Sequence, residues 1–162
     1  MLIAAAAVYG GVSYTALKRE QLNELEALCH MLRLMQDELE TRALPLPELA
    51  AQLDMRTENA GKALLSGLLR RLPVLGSQDF QSIWKESVTE SVRYSGEAAR
   101  LLCTLGSFLG RYDVDSQLEA IRSCRETLEK LRTTAAEDLP QTRRLGMRLA
   151  LTSGALIVIT LI

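Results

Sequence analysis

Two apolar segments, one at each end, restrict the fold of this chain more than any other feature. Residues 1–17 carry no charge, and residues 145–162 carry a single one, at Arg148. A helix that spans a bilayer needs about 20 residues, within a range of about 17–25. Because no basic residue precedes the first segment, an uncleaved anchor is predicted rather than a secretory signal. A second anchor is predicted at the other end, where a buried core helix is the alternative.

The charges beside these segments predict how the chain is oriented. Basic residues follow the first segment at Lys18 and Arg19, precede the second at Arg143 and Arg144, and enter it at Arg148. Positive residues are retained on the cytoplasmic side of a membrane. We therefore expect residues 18–144 to form a cytoplasmic domain and both ends of the chain to cross the membrane.

Composition narrows the chemistry that the middle of the chain can support. The formal net charge is −1, so no basic field favours nucleic acid. His30 is the one histidine, and Cys29, Cys103 and Cys124 lack the spacing of a metal site, which favours packed, reduced thiols. No catalytic residue, metal or cofactor is predicted, and the chain is not expected to be an enzyme.

The pattern of leucine and alanine predicts an all-α fold, an antiparallel bundle of about five to six helices flanked by N- and C-terminal membrane helices. Helices are predicted from Tyr14 to Arg42 in continuity with the first anchor, from Pro47 to Leu53, from Thr57-Glu58-Asn59 to Leu72, from Ser77 or Asp79 to Val88, from Ser95-Gly96-Glu97 to Leu109, and from Asp113 or Asp115 toward Asp138. Pro140 is expected to bend or break the last helix before the second anchor. Trp84 is expected in the core, with partner docking as the alternative.

The first of these helices has an apolar seam that fits a heptad. Its members recur at spacings of three and four: Leu22, Leu25, Leu28, Leu32, Met35 and Leu39. The opposite face, with Glu24, Arg33, Gln36, Asp37 and Glu40, is expected to be solvated. The seam also suits a coiled coil between copies of the chain, so a membrane-anchored homo-oligomer with a structural role remains the alternative function.

The stretch LGSFLGRYD, residues 105–113, places two glycines at the end of an apolar helix. A membrane GxxxG face would need a longer apolar segment, and a phosphate-binding loop would need a preceding strand. We therefore predict that Gly106 admits a close neighbouring helix and that Gly110 takes the left-handed position that stops the helix. Asp113 or Asp115 would then cap the next helix.

Written as Leu105-Gly106-x-x-Leu109-Gly110-x-x-Asp113-x-x-x-Gln117, this stretch resembles a motif of the stage III sporulation protein AB family of endospore-forming bacteria. The anchors, the leucine-rich first helix, Pro45 and Pro47, and the Leu145-Gly146 opening of the last segment match the layout of that family over nearly the whole chain, while Pro140 departs from it.

The resemblance implies a small relative of the platform protein of type II secretion and type IV pilus systems. It implies a place in the mother-cell membrane around the forespore, within a channel complex between the two cells. The partners it implies are a cytoplasmic secretion-type ATPase and the other membrane proteins of the channel. The contact region would be the helix–loop–helix from Leu105 to Gln117, with Asp113 and Gln117 as polar groups and Arg111 and Tyr112 exposed in the loop.

Overall fold

The described part of the chain consists of six α-helices and one 3-10 turn, without a β-strand. The computed structural model describes the backbone of residues 2–42, 44–74, 78–109 and 113–161, and the side chains of residues 15–42, 44–73, 78–109 and 113–138. The helices are α1 (Leu2–Arg42), α2 (Leu46–Asp54), α3 (Asn59–Arg71), α4 (Phe80–Ser91), α5 (Gly96–Leu105) and α6 (Val114–Leu161), and the 3-10 turn is Leu72–Val74. The predicted all-α class and the continuous first helix are confirmed.

Helices α1 and α6 form the long antiparallel pair of the bundle. Ion pairs join them at Lys18–Asp138 (3.4 Å), Glu26–Arg132 (3.9 Å) and Glu40–Arg122 (3.8 Å). The residue numbers rise along α1 while they fall along α6, which fixes the antiparallel register. Because these side chains are partly or largely exposed, the ion pairs mark the register and contribute little stability.

The leucine seam of α1 faces the interior of this single chain. Helix α3 approaches it so closely that a Cβ on Gly61 would lie 3.1 Å from both the Ala27 carbonyl oxygen and the Met31 Cβ. Most of the large side chains that are fully buried come from α1 to α4, and α5 and α6 add Leu102, Ile121 and Leu128. Those from α1 to α4 include Leu25, Leu28, Met31, Leu32, Met35, Leu49, Leu53, Leu64, Leu65, Leu68, Ile83 and Trp84. Trp84 is therefore a core residue, as predicted.

Two helix boundaries and one cap differ from the prediction. Helix α5 ends at Leu105 and is followed by turns, so it stops before Gly110. Helix α6 continues across Pro140 to Leu161, so the predicted break is absent, whereas a bend, the other predicted outcome, is compatible with a continuous helix. At the start of α3 no side chain caps the helix, and the Thr57 hydroxyl instead donates to the Leu53 carbonyl at 2.9 Å.

The two predicted membrane anchors lie mostly at residues whose side chains the structure does not describe. Within the described residues, no helix is both long enough and apolar enough to span a bilayer. The side chains of residues 1–14 and 145–162, which form nearly all of both predicted anchors, lie outside the described set. The helical backbone of α1 and α6 nevertheless includes residues 2–17 and 145–161.

Candidate partner-docking site

An open groove of about 630 Å³ lies between α5 and the first half of α6. One wall comes from α5 and the turn after it, with Leu101, Thr104, Leu105 and Phe108, and the other from α6, with Ser116, Glu119, Ala120, Ser123, Cys124 and Thr127. Ser116 and Thr127 are about 16 Å apart along the helix, which corresponds to three turns. The groove thus has the length and the apolar floor of a site for one helix of a partner.

The ring of Phe108 gives the groove an apolar contact at the surface. It is 39% exposed, whereas its neighbour Leu109 is 1% exposed and belongs to the core. On the α6 side the lining side chains are mostly small, so a partner's backbone could lie close to the groove floor. Glu119 is the one charged residue among those that line it.

Gly106 and Trp84 support this groove from behind. A Cβ on Gly106 would lie only 2.3 Å from Cδ1 of the Trp84 ring, so no residue larger than glycine fits while the ring stays in place. The Trp84 indole N–H donates to the Leu102 carbonyl oxygen at 2.6 Å, and Phe80 packs beside the ring at a centroid distance of 6.1 Å. The close approach predicted at Gly106 is present, and its partner is the α4 tryptophan.

Asp113 directly precedes α6 and caps it, and it is one of the two residues predicted as the cap of this helix. Its carboxylate accepts hydrogen bonds from the Ser116 backbone N–H at 3.2 Å and from the Ser116 hydroxyl at 2.8 Å. The hydroxyl bond, followed by the backbone bond, lowers the pKa of Asp113 below its usual value. The Gln117 N–H donates to the Asp113 carbonyl at 3.1 Å, so these two motif residues share the first turn of α6.

The remaining predicted site residues separate into two groups. Leu105 lines the groove, whereas Gly110, Arg111 and Tyr112 lie outside the described residues. Of the basic residues expected beside the membrane, Lys18 pairs with Asp138 and Arg19 is exposed. The side chains of Arg143, Arg144 and Arg148 are not among those described.

Glu24 is a buried polar group that the sequence pattern assigned to a solvated face, and that expectation was wrong. It is 5% exposed, and its carboxylate accepts from the backbone N–H groups of Arg93 at 2.7 Å, Tyr94 at 3.1 Å and Ser95 at 2.9 Å. These three donors form the loop between α4 and α5. Ser95 then caps α5 by accepting from the Ala98 N–H at 3.3 Å.

The cysteines are free thiols set among packed helices. Burial raises the pKa of Cys29 to about 11 and that of Cys124 to about 12. Burial also raises the pKa of Cys103. Thiols in this state are poor nucleophiles. Among the described residues, no cluster of three or more His, Cys, Asp or Glu side chains could hold a metal ion.

The comparisons with known proteins agree on one family. The family model described as stage III sporulation protein AB matches residues 1–162. A solved structure of a stage III sporulation protein AB (SpoIIIAB) is similar with a TM-score of 0.65 and 20% identity, covering 75% of this chain and 97% of the other. That likeness shows the fold, and no curated protein matches. Since the family model spans the full sequence, the chain belongs to the stage III sporulation protein AB family.

Proposed function

We propose that this sporulation protein is a non-enzymatic platform component of the channel between mother cell and forespore. Residues 1–17 and 145–162 would anchor it in the mother-cell membrane around the forespore, with residues 18–144 in the cytoplasm. The bundle would couple a cytoplasmic secretion-type ATPase to the other membrane proteins of the channel. Family membership supports the sporulation role, and the resemblance to secretion platform proteins that the sequence motif implies is the basis for the coupling.

The observation that carries the docking part of this proposal is the open groove between α5 and α6. It is built on the motif region, since Leu105 and Phe108 form one wall and the capped first turn of α6 contributes Ser116 to the other. Glu119 is 71% exposed and pairs with Arg122 at 3.2 Å, so the charge at this end of the groove is matched within the chain. The groove would take the apolar face of a single helix from the ATPase.

The alternative, a coiled coil between copies of the chain, requires that the heptad seam of α1 be accessible to a second copy. Leu25, Leu28 and Leu32 of the heptad seam are fully buried within the chain. A second copy could reach them only after the other helices had been displaced from α1. The structure therefore favours a platform over a coiled-coil oligomer.

The test is co-purification of the full chain with the secretion-type ATPase. Phe108→Glu places a charge in the groove and should abolish most of the ATPase recovery. Met55→Glu is the matched control, because Met55 is 81% exposed and does not line the groove. Ser123→Arg fills the groove without removing an apolar side chain, and it should act like Phe108→Glu.

Thermal unfolding of each variant separates binding from folding. Lost recovery with an unchanged Tm in Ser123→Arg supports docking in the groove. Recovery equal to that of the unmodified chain in both groove variants would overturn the docking proposal. Loss in Met55→Glu as well would place the contact elsewhere on the bundle.

A further inference from the structure

Glu24 lies at the point where α1 reaches the start of α5. Its carboxylate receives four hydrogen bonds from three successive N–H groups, because Tyr94 donates to both carboxylate oxygens at 3.1 Å. A carboxylate that accepts several backbone N–H bonds makes charge-assisted contacts, which are stronger than neutral ones. The loop backbone from Arg93 to Ser95 is thereby fixed to α1, while the Arg93 and Tyr94 side chains are exposed.

Helix α5 is thus held at two separate points. At its N-terminal end Ser95 is bonded to Glu24 of α1, and near its C-terminal end the Trp84 indole of α4 bonds the Leu102 carbonyl and packs on Gly106. The wall of the groove extends from Leu101 to Phe108, so the Trp84 contact lies within it and the Glu24 contact lies beyond its N-terminal end. Loss of the Glu24 contact would remove the polar attachment of this end to α1 and leave the N-terminal end of α5 held by the apolar packing of Ala98.

The opposite wall of the groove is held by the same helix. Ion pairs attach α6 to α1 at Glu40–Arg122 and Glu26–Arg132, on either side of the groove-lining residue Thr127. Helix α1 therefore borders both walls, because ion pairs mark its register against α6 and the buried Glu24 carboxylate bonds the loop that leads into α5. A shift of α1 along its axis would move the start of α5.

We infer that Glu24 is the positioning residue that sets the width of the α5–α6 groove, and that it makes this width respond to the position of α1. The inference rests on the proposed docking role of the groove for its biological meaning. The quantity that the inference predicts is the distance between α5 and α6, which is measured in the absence of a partner. The inference and the proposed function therefore fail separately.

The experiment measures spin-label distances in the full chain with Cys29, Cys103 and Cys124 replaced by alanine. One label pair, Arg100→Cys with Glu126→Cys, reports the end of the groove nearest Glu24. The other pair, Ser107→Cys with Glu119→Cys, reports the end beyond Gly106. Glu24→Gln keeps the size of the side chain but replaces one acceptor oxygen with an amide that cannot accept. Asp37→Asn is the control on the same helix, because Asp37 is exposed and takes no part in the contacts to either wall of the groove.

Glu24→Gln is expected to lengthen or broaden the first distance and to leave the second unchanged. In Glu24→Gln, backbone amide exchange should rise about tenfold or more at the N–H that faces the new amide group, which is that of Arg93 when the remaining oxygen keeps its bonds to Tyr94 and Ser95. Glu24→Asp, which keeps the charge but is one methylene shorter, should also change the first distance and leave the second unchanged. An unaltered first distance in both Glu24 variants, or an equal change in both pairs, would overturn the inference.

Discussion

The α1–α6 interface and the α4–α5 hairpin are held by different kinds of polar contact. Between α1 and α6 the polar contacts are ion pairs such as Glu26–Arg132 at 3.9 Å, with both side chains about half exposed. The hairpin is fixed by two buried contacts, Glu24 to the loop and Trp84 to the Leu102 carbonyl. Buried polar groups are costly to leave unpaired, whereas exposed ion pairs contribute little. The hairpin should therefore be the region in which single substitutions matter most.

The largest effect is expected from Gly106→Ala. The added Cβ would lie 2.3 Å from a ring that is fully buried, so either the ring or α5 must move. We expect the free energy of unfolding to fall by about 3 kcal/mol, as for severe overpacking. Chemical denaturation measures it. Gly96→Ala is the control, because nothing lies within 4 Å of its added Cβ. Equal stability of the two variants would contradict the close contact.

Glu24→Ala comes next in expected size. It leaves the three loop N–H groups without their acceptor, although water can reach Arg93 and Tyr94 in part. The expected loss is about 2 kcal/mol of unfolding free energy. Glu26→Ala removes an exposed carboxylate on the same helix and should cost less than about 0.5 kcal/mol. Similar losses from both substitutions would remove the contrast between the buried and the exposed contacts.

The Cys29 and Cys124 thiols, on α1 and α6, test the packing of the α1–α6 interface at alkaline pH. The folded-state pKa values of Cys29, about 11, and of Cys124, about 12, are raised above the ordinary thiol value. Stability from these neutral thiols is complete below the unfolded pKa, near 8.5, and is lost as the pH rises toward about 11 to 12. Cys29→Ala with Cys124→Ala should flatten the fall in Tm between pH 9 and 11. An identical fall in both proteins would show that these thiols are not the cause.

The smallest effects are expected at exposed polar groups. Asp113→Ala removes the cap of α6 and should lower the Tm slightly, because a water molecule can replace the carboxylate as the acceptor for the exposed Ser116 N–H. Arg132→Ala should change the Tm by even less. Lost ATPase recovery in Asp113→Ala with a nearly unchanged Tm would assign the motif to the interface. A large loss of stability would assign it to folding.

The sequence predicted the features that depend on local signals. Continuous apolar spacing gave α1, a proline in the first turn gave α2, and an aspartate before an apolar run gave the start of α6. The close approach at Gly106 was also predicted, since glycine destabilises a helix relative to alanine and is expected there where a neighbour leaves no room for a side chain. The tryptophan that occupies the space lies on another helix and could not be identified from spacing.

Glu24 could not be found in this way. Its partners are backbone N–H groups about 70 residues further along the chain, and such groups have no side-chain signature in a sequence. Its position on α1 looked like part of a solvated face because the neighbouring charges are solvated. The end of α5 at Leu105 was missed because Gly106 was assigned to a helix contact, although it is also the C-cap residue of α5.

The central claim is that the α5–α6 groove receives a helix of the ATPase, and photo-crosslinking tests it most directly. A photoreactive amino acid at Thr104, which lines the groove, is compared with one at Thr89, an exposed threonine of α4 outside it. Both hydroxyls bond the carbonyl four residues earlier, so the two positions are closely matched. The account predicts an adduct with the ATPase from Thr104 and none from Thr89. An adduct from Thr89 alone would contradict it.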